Sequence, residues 1–103
     1  MPLPRSHSEK RLFACFGGAS WLEFHLRFNT GTKLNNPVKF EATQVWRSLS
    51  APSLFAVSRG SFPSVGAAEA SLLTELVASG GVVHPDTPQL RKQLATEFGY
   101  HRT

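Results

Sequence analysis

"WLEFHLRF" (residues 21–28) alternates from Leu22 to Phe28. Leu22, Phe24, Leu26 and Phe28 take every second place, with Glu23, His25 and Arg27 between them. Successive side chains of a strand point to opposite faces of a sheet, so this pattern buries one face and wets the other. A helix would scatter the same residues around its surface.

The alternation recurs in "VKFEAT" (38–43), where Val38, Phe40 and Ala42 oppose Lys39, Glu41 and Thr43, and it can run on through Val45. Between the two lies "NTGTKLNNP" (29–37), whose Asn, Gly, Thr and Pro are turn formers. The pair reads as an antiparallel hairpin, with Glu23 or Arg27 near Lys39 or Glu41 in a register the sequence leaves open. Upstream, "RLFACF" (11–16) is a short aromatic-rich run that suits a strand, followed by the turn composition of "GGAS" (17–20). Downstream, "LFAVS" (54–58) suits a fourth strand. Residues 1–10 read as a flexible tail. Their basic start faintly imitates a targeting peptide, but the apolar part, Leu12 to Ala19, is short and holds two glycines. Tail plus first strand is the reading adopted.

"RGSFPSVG" (59–66) reads as a connector, and beyond it the period changes. In "AAEASLLTELVASGG" (67–81), Leu72, Leu73, Leu76 and Val77 fall at helical spacing among good helix formers. Ser64 is placed to help start that helix, and Gly80 and Gly81 to end it. "VVHPD" (82–86) is a short extended piece. Thr87 then suits an N-cap, Pro88 the first helical position, and Leu90, Leu94 and Phe98 one stripe of a helix stopped by Gly99. The expected fold is α+β: a small antiparallel sheet of three to four strands in residues 11–58, then two covering helices at about 67–79 and 88–98. Residues 11–103 form one domain.

The bulk numbers agree with one small domain. The chain has 103 residues, 41% of them hydrophobic, with eight Phe and two Trp to build a core. A net charge of +4 permits attraction to nucleic acid or an anionic surface. No basic run exceeds the pairs Lys10-Arg11 and Arg91-Lys92, so a phosphate-binding face would have to be assembled by the fold. Cys15 is the single cysteine, which excludes an intrachain disulfide and a cysteine-based zinc site. It points to a reducing, cytoplasmic setting. No apolar run approaches the length of a membrane span.

Catalytic chemistry finds little support. His7, His25, His84 and His101 have no metal-ligand spacing. His25 lies on the polar face of its strand. His84 near Asp86 is a possible acid–base pair, but serving the entry to the last helix is the simpler role. Cys15 sits between aromatics and reads as an inert thiol. Glu23 and Glu41 are expected in salt links with Arg27 or Lys39. The Gly-Gly pairs lack the lysine and spacing of a phosphate loop. No catalytic residue, metal or cofactor is assigned.

The last stretch, "QLATEFGYHRT" (93–103), carries a resemblance. Leu94 and Phe98 stand as apolar anchors, Ala95 as the small residue where a second helix would cross, and Gly99 as the turn. This resembles the opening of a helix-turn-helix or winged-helix DNA-binding domain, as in bacterial site-specific recombinases and several repressors. It departs in Tyr100, where those families carry a small aliphatic residue, and in reaching Thr103 before a recognition helix. The resemblance implies phosphate contacts through Arg91, Lys92, His101 and Arg102, without reading of base edges.

The functional expectation is therefore a non-enzymatic binding module, with DNA or other nucleic acid as the ligand class. An alternative is a protein–protein interaction, accessory or inhibitory module using the hairpin edge or the aromatic face. A third reading is a truncated product with no evolved function.

Overall fold

The computed structural model describes residues 6–30, 37–51 and 57–101. The elements run β1 (Ser6–Cys15), β2 (Trp21–Thr30), β3 (Val38–Arg47), β4 (Val57–Phe62), α1 (Val65–Ala78), β5 (Val82–Pro85) and α2 (Pro88–Phe98). All strand pairs are antiparallel, in the order β4-β3-β2-β1-β5. The α+β class holds, with five strands among the described residues where three to four were expected.

Three elements differ from the sequence expectation. β1 begins at Ser6, inside the expected tail, because Ser6 to Lys10 pair with Thr30 to Leu26 of β2. Residues 59–62 of the expected connector pair with β3, so the connector shrinks to the stretch just before α1. The extended piece at Val82–Pro85 pairs with Leu12 to Cys15 and becomes an edge strand. In each case the partner strand supplies hydrogen bonds that a polar or Gly-containing sequence does not advertise. The expected strand at 54–58 falls largely on residues outside those described, as do 1–5 of the tail and most of the loop at 29–37.

The alternating face of β2 is the main core. Leu22, Phe24, Leu26 and Phe28 pack with Leu12 and Ala14 of β1, Phe40 and Ala42 of β3, and Ala68, Leu72 and Leu76 of α1. Each fully buried leucine in such a cluster contributes roughly 1.5–3 kcal/mol. The stripe of α1 is narrower than expected: Leu73 is half-buried and Val77 is 62% exposed. Positions spaced by four face the sheet, and Val77 is turned about 100° from Leu76 toward solvent. Ser64 caps α1 by accepting from the Ala67 N–H at 3.0 Å.

The helices do not share one face. α2 lies on the reverse side, where Leu94 packs with Phe13, Trp21 and Tyr100, flanked by Leu90, Phe98 and Trp46. The chain changes sides by passing through β5 at the edge of the sheet. Phe13 and Trp21 reach this second cluster simply because they are out of phase with Leu12 and Leu22. Trp46 reaches it differently. Phe24 pairs with Gln44 but Glu23 pairs with Trp46, so Val45 is an extra residue in β3. Such a bulge inverts the in–out alternation beyond it and places Trp46 on the α2 side.

Candidate anion-binding site

α2 covers only one end of the reverse face. There it encloses a carboxylate: Glu23 is 2% exposed, accepts a hydrogen bond from the Tyr100 hydroxyl at 2.8 Å and has Arg11 at 3.8 Å. Tyr100 stands edge-on to Phe13 and Trp46, at ring separations of 5.4 and 5.0 Å. This network is a fastening, since Glu23 and Tyr100 are both buried within it while Arg11 stays partly exposed.

Among the described residues, the other end of the same face carries no helix. It is built from the polar positions of β2 and β3, continued onto β4. One row across the strands reads Arg27, Glu41, Arg59, and the next reads Asn29, Lys39, Ser61. These six, with Gly60 and Phe40, line a hollow of about 560 Å³. Arg59 and Glu41 form an ion pair at 3.0 Å, and the Lys39 ammonium lies 3.3 Å from the Ser61 hydroxyl. Among the described residues no carboxylate forms an ion pair with Arg27 or Lys39. The hollow therefore carries two net positive charges. Asn29 at its wall has a buried side-chain oxygen with no hydrogen-bond partner among the described residues.

The expected salt links shift accordingly. Arg27 does stand opposite Glu41 in the register, yet Glu41 pairs with Arg59; Glu23 is tied to Tyr100 and Arg11. His25 is part-buried, 3.6 Å from Glu9. His84 rests against Trp21, with ring centres 5.1 Å apart, and Asp86 bonds Arg91. Cys15 is half-buried beside the α2 cluster.

Of the C-terminal residues singled out from the sequence, Arg91 is engaged within the protein. Arg91 gives two hydrogen bonds to Asp86, at 2.5 and 2.7 Å, which raise its guanidinium above its ordinary range. Lys92 and His101 are exposed, and Arg102 lies outside the described residues. Thr87 caps α2 through the Leu90 N–H at 3.1 Å. Leu94 is buried, Phe98 half-buried and Ala95 exposed, while Gly99 takes the left-handed conformation at φ 67°. Tyr100 then turns back onto the sheet.

The grouping of Arg27, Lys39 and Arg59 was missed in the sequence. Arg27 and Lys39 were visible as polar-face residues of a hairpin. Arg59 was hidden because "SRGSF" reads as a connector, and only its pairing with β3 brings it into the row.

Among the described residues, no group of three or more His, Cys, Asp or Glu side chains could hold a metal ion, and no helix is long and apolar enough to cross a membrane. Comparison with protein-family models, curated proteins and solved structures found no match.

Proposed function

We propose that the chain is a non-enzymatic binding module for nucleic acid, working in a reducing compartment and contacting phosphates through the uncovered half of its sheet. The observation that carries this reading is the hollow that Arg27, Lys39 and Arg59 line together, where Glu41 offsets only one of them. Arginine forks and a lysine ammonium are well matched to phosphate oxygens. The aromatic rings Phe24, Phe28 and Phe40 are buried under α1, so stacking on bases plays no part. Binding is electrostatic and indifferent to sequence.

The protein-interaction alternative keeps fewer surfaces. β2 and β3 both lie inside the sheet, so their hairpin has no free edge, and its aromatic face is core. The edge strands β4 and β5 remain.

The test is a titration with a short labelled oligonucleotide at several salt concentrations. With two or three phosphates neutralised, log K should fall against log salt with a slope of about −2 to −3. Arg27→Ala and Lys39→Ala should each lower that slope by about one. Lys92→Ala should leave it unchanged. Loss of binding in Lys92→Ala alone would return the site to the C-terminal helix.

A further inference from the structure

The hollow is small for a stretch of nucleic-acid backbone, and its charge is unlike that of an extended basic stripe. Neighbouring strands lie about 4.8 Å apart, so the α-carbons of Arg27 and Arg59, two strands apart, are separated by about 10 Å. Lys39 sits on the strand between them, two residues further along, or about 7 Å. The α-carbons of the three cationic residues therefore form a compact triangle instead of tracking a line. The volume, about 560 Å³, falls within the roughly 300–1,000 Å³ of small-ligand sites.

Glu41 refines the charge. It stands between the two arginines in the register and holds Arg59 at 3.0 Å. A carboxylate at that place opposes the approach of many phosphates in succession. It leaves two net positive charges, with Arg27 and Lys39 free of carboxylate partners among the described residues. A phosphodiester brings one negative charge. A phosphate monoester brings about 1.5 to 2, with three acceptor oxygens for donors arriving from different sides.

We infer that this hollow receives a phosphate monoester, with Arg27 and Lys39 as its direct contacts and Arg59, steadied by Glu41, closing the third side. Two sources supply that group: the phosphorylated end of a nucleic-acid strand, or a free nucleoside monophosphate. Naming the strand end as the source rests on the proposed nucleic-acid function; the chemistry of the hollow does not.

The experiment compares one single-stranded oligonucleotide in two forms, with a 5′-phosphate and with a 5′-hydroxyl, each labelled at the 3′ end and read by fluorescence anisotropy. A nucleoside monophosphate is titrated in parallel by calorimetry. The intact chain, Arg27→Ala and Lys39→Ala are used, with circular dichroism of each variant to establish folding; both side chains are exposed. The 5′-phosphate should tighten binding about tenfold, the size of one added charge-assisted contact. Either substitution should remove that preference while leaving the dichroism unchanged. Equal affinity for the two forms, both weakened by salt, overturns the monoester inference and leaves the nucleic-acid function standing. Binding of the monophosphate, lost in Lys39→Ala, with no binding of either oligonucleotide, does the reverse. Failure of all three probes overturns both.

Discussion

The hydroxyl of Tyr100 donates to the carboxylate of Glu23 at 2.8 Å, joining the turn after α2 to a central strand of the sheet. Glu23 is almost fully enclosed, and a buried acceptor that loses its donor keeps its desolvation cost. Tyr100→Phe preserves the edge-on packing against Phe13 and Trp46 and removes only the donor. The expected loss of stability is about 1–3 kcal/mol. A urea melt followed by tryptophan fluorescence is the direct measurement, since Trp21 and Trp46 belong to the same cluster. A midpoint unchanged from the parent would show that Glu23 does not depend on this bond.

Tyr100 also explains where sequence reasoning stopped. It was visible as a departure from the helix-turn-helix pattern, but its partner lies 77 residues away and no local rule connects them. The signals that were legible are short-range. The alternation of 21–28, the caps at Ser64 and Thr87 and the left-handed Gly99 all depend on neighbours within a few residues. What stayed hidden depends on pairing across the chain: β1 reaching back to Ser6, β4 arising from a Gly-containing connector, and the bulge that carries Trp46 to the second face. The hollow inherits that difficulty, because Arg59 joins Arg27 only through two strand pairings.

Gln44 is the polar misfit of the main core. It pairs with Phe24 in the register, so it points to the α1 side, and its side-chain oxygen is buried without a partner among the described residues. Replacing an unsatisfied polar group by an apolar one of similar size removes a desolvation cost. Gln44→Leu should raise stability by about 1 kcal/mol, with an unchanged urea m-value. A lower midpoint would mean that the oxygen is bonded in solution.

Three glycines around α1 should respond with opposite signs. The helix ends in a Schellman motif: the Gly80 N–H bonds the Val77 carbonyl at 3.0 Å and the Gly81 N–H bonds the Leu76 carbonyl at 2.9 Å. Gly80 has φ 87°, and a Cβ on Gly81 would lie 2.9 Å from the Leu76 carbonyl oxygen and 2.8 Å from the Phe16 ring. Gly80→Ala should therefore cost about 1–2 kcal/mol. Gly81→Ala, forcing backbone or ring to move, should cost about 1–3 kcal/mol. Gly66, inside the first turn of α1, has only the Ser64 hydroxyl oxygen near its would-be Cβ, at 3.9 Å. Gly66→Ala should stabilise by about 0.5 kcal/mol. Thermal melts of the three variants test the ordering; a stabilised Gly81→Ala would contradict it.

The two faces of the sheet should differ in how readily they open. α1 presents three fully enclosed residues to the main core, Ala68, Leu72 and Leu76, whereas α2 presents only Leu94, with Leu90 and Phe98 half-buried. α2 is also held by the local Arg91–Asp86 pair at its start and by the long-range bond from Tyr100 to Glu23 after its end. β5, which leads into it, pairs with β1 alone over four residues. β2 by contrast is flanked on both sides and buries Leu22, Phe24, Leu26 and Phe28. Local opening free energies follow buried apolar contact, so native-state amide exchange should rank α2 and β5 below β2. Tyr100→Phe should speed exchange in α2 more than in β2, because it releases the far end of α2 without touching the main core. Equal protection across α2 and β2, unmoved by that substitution, would mean that both clusters unfold as one unit and that the fastening at Glu23 has no separate role.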